Sequence, residues 1–185
     1  MRTLILASTS ARRRELMNLL TQDFMCEGAD IIEVSAGSAL DTCVLNARAK
    51  CLSVESRFPG HTVIGCDTVV EIGGLVLGKP ADATDAGKTL LLLSGREHSV
   101  CSGVCVAHRG IEHQFTCVTR VVFNEIPASE IDGYVMTDEP YDKAGAYAIQ
   151  GWAAKYISEI HGDYYNVMGL PVSALYSLLR QLGAL

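Results

Sequence analysis

Residues 3–20 read TLILASTSARRRELMNLL, and the change of pattern inside this stretch decides the fold class. Leu4, Ile5, Leu6 and Ala7 form a short continuous apolar run, the pattern of a strand buried on both faces. Ser8, Thr9 and Ser10 interrupt it. Beyond them the apolar positions become Leu16, Leu19 and Leu20, as on one face of a helix over 10–20 with Ser10 as N-cap. A strand feeding a helix through a short polar turn opens a βα unit.

The pattern continues outward from there. Phe24-Met25-Cys26 predicts a second strand ending near Gly28, and the polar residues 30–38 predict a loop. A helix over 39–55 follows, with Leu40, Cys43, Val44, Ala47, Cys51 and Val54 near one stripe. Asn46 and Lys50, four apart, share a different face. Thr62 to Cys66 reads as a buried strand running into Asp67, and Gly73-Gly74 marks a hairpin inside Val69 to Leu77. After Pro80 comes a helix over 82–93. Two β-rich runs, 97–107 and 112–123, then join around Arg109-Gly110 as antiparallel neighbours. Pro127 suits the first turn of a helix to about 135. The Gly-rich, charged stretch 138–151 reads as a binding loop, 154–160 as a strand, and Pro171 to about 181 as a helix with Leu175, Leu178, Leu179 and Leu182 inward. A βα unit combined with antiparallel runs gives a mixed α/β sheet with flanking helices.

The 185 residues, 49% hydrophobic, suffice for one domain, or one domain with a smaller lobe. With 21 acidic and 15 basic residues the net charge is -6, which argues against a polymeric nucleic-acid surface but leaves room for a small nucleotide on a local cationic cluster. The cysteines number seven, an odd count, with apolar neighbours such as Val44, Val100 and Val104; free buried thiols in a reducing compartment fit best. Cys101 and Cys105 form no CxxC pair, and no histidine lies in an HExxH pattern. The first apolar run is too short for a signal peptide, and no apolar stretch approaches the ~18 residues of a membrane span, so the expected compartment is the cytoplasm.

Several residue groups invite chemistry. Ser8, Ser10, Arg12 and Arg13 sit where a strand end meets a helix start, so free amides, hydroxyls and guanidiniums there suit a phosphate. A capped helix with a solvated basic turn would look the same. Asp67 can bind a cation, orient water, accept its proton, or merely cap the turn at Thr68. Glu33 and Glu15 are candidates to complete a carboxylate set with it. Lys50 either faces the same cleft or solvates its helix. Lys79, between a hairpin and Pro80, meets phosphate or solvent. Gly87-Lys88-Thr89 imitates a P-loop, but Asp82 stands where the motif needs its first glycine, so Lys88 reads as a surface residue. Gln150 offers a donor and an acceptor that suit the imide edge of uracil or thymine, or a backbone contact in a tight loop. Asn166 contacts substrate or fixes a turn, and Tyr164-Tyr165 stack on a base or, more in keeping with their setting, pack.

Taken in order, LASTSARRREL at 6–16, NARAK at 46–50, GCDTVV at 65–70, GKP at 78–80, LSG at 93–95, DKAGAYAIQG at 142–151 and GLP at 169–171 resemble the Maf family of nucleotide pyrophosphatases over nearly the whole chain. The Lys-Ala-Gly-Ala-Tyr and Ile-Gln-Gly pieces are most similar to the branch that hydrolyses dTTP and UTP. The resemblance implies a single domain over residues 1–185, with two lobes around a cleft and a fold shared with inosine triphosphate pyrophosphatases. It implies release of a monophosphate and pyrophosphate, a divalent cation (Mg²⁺ or Mn²⁺), a small-molecule nucleoside triphosphate as partner, and a homodimer. Carried over by residue, it implies Asp67 as proton acceptor or metal-linked carboxylate with Glu33 beside it. Arg12, Thr68 and Gln150 would select the base, while Ser8, Arg13, Lys50 and Lys79 complete the cleft. Ala11 replaces a usual proline and Ala148 a usual glycine, which bears on loop geometry and base preference. The same chemistry on modified pyrimidines or 7-methyl-GTP, or nucleotide sensing at the septum without turnover, are the alternative readings; Gln150 argues against 7-methyl-GTP, and an intact Asp67 and Lys79 argue for turnover.

Overall fold

A computed structural model describes residues 3–185. Strands β1 (Leu4–Leu6), β2 (Phe24–Cys26), β3 (Thr62–Ile72), β4 (Leu75–Leu77), β5 (Glu97–His108), β6 (Ile111–Phe123) and β7 (Ile157–His161) form one mixed sheet. Its order is β2-β1-β3-β5-β6-β7, with β4 paired to β3. β1 lies parallel to both β2 and β3, whereas β3, β5, β6 and β7 run antiparallel. Helices α1 (Ala11–Asn18), α2 (Ala39–Glu55), α3 (Ala83–Leu93), α4 (Ala128–Tyr134), α5 (Tyr164–Met168) and α6 (Val172–Gln181) flank it. The mixed class read from the alternation of patterns is the observed one.

Local chemistry accounts for most boundaries. Ser10, Ser38 and Asp82 cap α1, α2 and α3 by accepting the amides of Arg13, Asp41 and Asp85. Gly73-Gly74 and Arg109-Gly110 turn the two hairpins with positive φ throughout, matching the sheet's twist. Differences from the sequence reading arise where tertiary contacts override pattern. Met17 is fully buried, while Leu19 is 59% exposed and Leu40 42%, so both leave the apolar stripes assigned to them. Pro127 stands one place before α4 rather than in its first turn. β7 starts later than expected because Trp152–Lys155 form a 3-10 turn that stacks Trp152 on Tyr134 at 4.1 Å between centroids. Helix α5, read as a simple turn, is capped by Asp163 and closed by Gly169 at φ 113°.

Among the described residues, the two larger of four hydrophobic clusters share one face of the sheet. One gathers Leu4, Leu6, Ile64, Leu170, Leu175 and Leu179 under α1 and α6. The other gathers Val70, Leu90, Val100, Phe123, Ile131 and Tyr147 under α3 and α4. On the opposite face α2 lies against β3 and β5, and this approach requires glycine. A Cβ on Gly65 would stand 2.2 Å from the Ala47 carbonyl, and one on Gly103 2.5 Å from that of Cys43. All seven cysteines are free, five of them buried. Among the described residues no helix is long and apolar enough to cross a membrane.

One buried group makes stability depend on pH. His98 is 2% exposed, shares a 2.7 Å hydrogen bond with the Tyr147 hydroxyl and packs edge-on to Phe123. Burial lowers its pKa from 6.5 to about 4. The unfolded chain therefore binds this proton first as pH falls. The stability from keeping His98 neutral is complete above about pH 6.5 and is lost as pH falls to about 4, a difference of about 3 kcal/mol. Urea titrations across this window are expected to show that loss, and His98→Gln is expected to flatten it.

Candidate active site

The site arises from an interruption on one edge of β3. β1 ends its pairing at Leu6 opposite Ile64, and β4 ends its own at Leu77 opposite Val70. β1 is parallel to β3 and β4 antiparallel, so the two chains run toward each other and stop. Among the described residues no strand pairs with β3 on that edge between Gly65 and Val69. Asp67 and Thr68 sit in this gap. Asp67 is therefore within a strand, not at the strand end expected from the apolar run before it; what opens it to the cleft is the loss of a neighbour strand. The outgoing ends deliver Ser8 to Ser10 from one side and Gly78-Lys79 from the other. This places the site where strand partners change, as in open α/β sheets.

The resulting cleft of about 760 Å³ is lined by ten of the residues singled out by sequence: Ser8, Ser10, Arg12 and Arg13; Glu33 and Lys50; Asp67, Thr68, Lys79 and Gln150. Its size suits a nucleotide-sized ligand. Successive strand residues point to opposite faces, so Asp67 and Thr68 divide the cleft floor. On the α2 face, Lys50 donates to Asp67 Oδ1 at 2.6 Å and lies 2.6 Å from Glu33 Oε1. Lys50 and Asp67 are both buried. Asn46 Nδ2 stands 3.3 Å from Asp67 Oδ2, so both oxygens are held. The bond from Lys50 lowers the Glu33 pKa; burial opposes this, and Lys79 and Arg13 reinforce it.

On the other face, Arg13 donates from Nε to the Gly169 carbonyl at 2.9 Å and from Nη2 to Thr68 Oγ1 at 3.3 Å. Thr68 also lies 2.8 Å from the hydroxyl of buried Ser102, its register partner on β5. At the mouth, Arg12 pairs with Asp142 at 2.8 Å, and Lys143 pairs with the other Asp142 oxygen at 2.6 Å. Burial works against the Asp142 charge, but Lys143 and Arg12 outweigh it and lower its pKa. Lys79 and Gln150 are exposed on the cleft wall. Burial raises the Cys43 thiol to about 12 and pushes Cys66 up as well, so neither thiol beside Asp67 is a thiolate at neutral pH.

The remaining candidates lie outside the cleft. Glu15 is exposed on α1 and does not line the cleft, because the turn that brings Arg12 and Arg13 inward rotates Glu15 out. Asn166, within α5, is fully buried and donates to the Val100 carbonyl and Thr119. Tyr164 and Tyr165 pack edge to face, half-exposed and outside the cleft. The tight glycines of the 142–151 loop are used against the chain itself: a Cβ on Gly145 would meet Val70 at 2.9 Å, and one on Gly151 would meet Glu139 at 2.2 Å. Sequence reasoning gave no role to Thr42, Ser102, Asp142 or Lys143. The four-residue spacing of Thr42, Asn46 and Lys50 was the signal available for the first.

A family model described as Maf-like protein matches residues 3–182, nearly the whole chain. The chain belongs to this Maf-like family. Among Maf relatives, the dTTP/UTP pyrophosphatase of Thermococcus gammatolerans is 46% identical over 97% of this chain and 96% of its own length. Proteins of the same name from Koribacter versatilis and Aquifex aeolicus are 43% and 42% identical, again over nearly their full lengths. A solved structure of the Ham1 protein of Staphylococcus aureus aligns with a TM-score of 0.51 over 96% of this chain and 98% of that one, at 13% identity. That likeness concerns the fold, and it agrees with the inosine triphosphate pyrophosphatase type expected for a Maf chain.

Proposed function

We propose that this protein hydrolyses dTTP and UTP to the nucleoside monophosphate and pyrophosphate. The observation that carries the reading is the buried Asp67–Lys50 pair at the open edge of β3, joined by the exposed Glu33 carboxylate and facing the Arg12, Arg13 and Lys79 side of one cleft. Relatives 41–46% identical end to end carry the name of that activity. In this account Asp67, with its oxygens oriented by Lys50 and Asn46, aligns a water and takes its proton. The water oxygen bonds to the α-phosphorus, the bond to the bridging oxygen breaks, and pyrophosphate leaves. Arg12, Arg13 and Lys79 balance its charge. Asp142 competes with phosphate for Arg12, so substrate entry exchanges one ion pair for another. Gln150, Arg12 and Thr68 read the base.

Among the described residues no group of three or more His, Cys, Asp or Glu side chains is arranged to hold a metal. Two carboxylates, Asp67 and Glu33, converge on the Lys50 ammonium, each at 2.6 Å. This hard oxygen pair would hold a Mg²⁺ or Mn²⁺ ion. Bound there, the ion would neutralise phosphate charge and acidify water. A homodimer and a cytoplasmic setting belong to the same reading.

Hydrolysis in ¹⁸O-water tests the bond cleaved. Label is expected in the monophosphate; label in pyrophosphate would mean attack at the β-phosphorus and overturn the proposed step.

A further inference from the structure

The residues between β2 and α2 form an irregular strap, of which Ala29, Glu33, Val34 and Ser35 line the cleft. It carries Glu33, yet its 32–36 segment buries no side chain fully: Ile32 is 91% exposed and Val34 50%. Apolar burial therefore does not hold it, and its hydrogen bonds must. These come from one face of α2. Thr42 Oγ1 accepts the Ala36 amide at 2.9 Å and donates to the Ala36 carbonyl at 3.1 Å. Asn46 does the same one turn on, accepting the Val34 amide at 2.9 Å and donating to its carbonyl at 3.0 Å. Lys50, one turn further, takes the Glu33 carboxylate.

The spacing explains why these stitches fit. Four helical residues rise about 6 Å, and two extended residues span about 6.7 Å. Residues 42 and 46 of the helix thus stay in step with residues 36 and 34 of the strap, which runs the other way. The next step, from Val34 to Glu33, is one residue, and the long Lys50 side chain covers the difference. Thr42 and Asn46 are 4% and 3% exposed, so each bond is shielded from water. Asn46 also contacts Asp67, which ties the strap to the floor of the cleft.

We propose that Thr42 and Asn46 are positioning residues that fasten the 33–36 strap to α2 and thereby hold Glu33 across Lys50 from Asp67. Neither touches the reacting atoms; both act through Glu33, and Asn46 also through Asp67. The inference rests on the hydrolase reading of this cleft for its kinetic consequence, but not for its structural one.

The test uses Thr42→Val, Thr42→Ser and Asn46→Ala in the full chain, with amide hydrogen exchange and dTTP kinetics read in parallel. Thr42→Val removes the hydroxyl at nearly constant shape. It is expected to expose the Ala36 and Val34 amides to exchange, to leave the β3 amides protected, and to lower kcat/KM about tenfold. Thr42→Ser is expected to restore both. Asn46→Ala, which also frees Asp67 Oδ2, is expected to cost about a hundredfold. In a Glu33→Gln background, Thr42→Val is expected to add no further loss, since its effect passes through Glu33. Unchanged exchange at Ala36 and Val34 would overturn the strap. So would increased exchange with full turnover, or a Thr42→Val loss as large in the Glu33→Gln background as alone. A wild-type chain without dTTP turnover would mark failure of the hydrolase reading and remove the catalytic half of the proposal; the exchange result would then decide the strap alone.

Discussion

Replacing Asp67 with Asn is expected to lower kcat for dTTP by about 10²–10⁴-fold, the range supplied by a positioned general base. The substitution preserves shape and removes a charge. Lys50 retains Glu33 as a partner, so it is not left as a lone buried cation. The amide, however, cannot satisfy both neighbours. If its oxygen faces Lys50, its NH₂ meets the Asn46 NH₂; if reversed, it meets the ammonium. One mismatched contact costs about 1–3 kcal/mol, which is small enough for the fold to persist. A thermal melt with kinetics on the same sample separates the two effects. A folded Asp67→Asn protein with near wild-type kcat would remove Asp67 from the chemistry.

Gly103→Ala is expected to give a large loss of stability. Gly103 pairs with Asp67 across β3 and β5, and α2 rests directly on it. The added methyl would lie 2.5–2.7 Å from Cys43 and Val44 backbone atoms, which have no rotamer to yield. The helix itself must lift from the sheet. Overpacking against backbone costs about 3 kcal/mol or more, roughly 6–12 °C in Tm for a chain of this size. Because α2 also carries Thr42, Asn46 and Lys50, the surviving folded fraction is expected to show reduced kcat as well. Gly65→Ala meets the Ala47 carbonyl at 2.2 Å and is expected to behave alike. Gly60 is the control, since a methyl there meets nothing within 4 Å, though its φ of +85° adds local strain alone. An unchanged melting temperature in Gly103→Ala would contradict the helix-on-glycine packing.

Local patterns carried much of this. The strand-to-helix change at Ser8 to Ser10, the cap at Ser10, and both glycine hairpins follow from neighbours in sequence. The cleft was legible only as an ordered set of motifs. Nothing within residues 62–72 reveals that β3 changes edge partner from β1 to β4 midway, so Asp67 was read as a strand end. Glu15 looked equivalent to Glu33 because composition alone does not tell which side of a turn faces a cleft. Asn46 and Lys50 were placed together by spacing, but their partners lie in a strap whose exposed Ile32 and Val34 follow no periodic pattern. The glycines of 142–151 signalled close approach correctly; that the approach is to Val70 and Glu139 required the fold.

The most direct measurement is release of pyrophosphate and monophosphate from dTTP, UTP, CTP and 7-methyl-GTP, with Mg²⁺ or Mn²⁺ and in their absence. The account predicts metal-dependent turnover led by dTTP and UTP, with equal amounts of the two products. Tight nucleotide binding without pyrophosphate release would contradict it, and turnover led by 7-methyl-GTP would contradict the part assigned to Gln150.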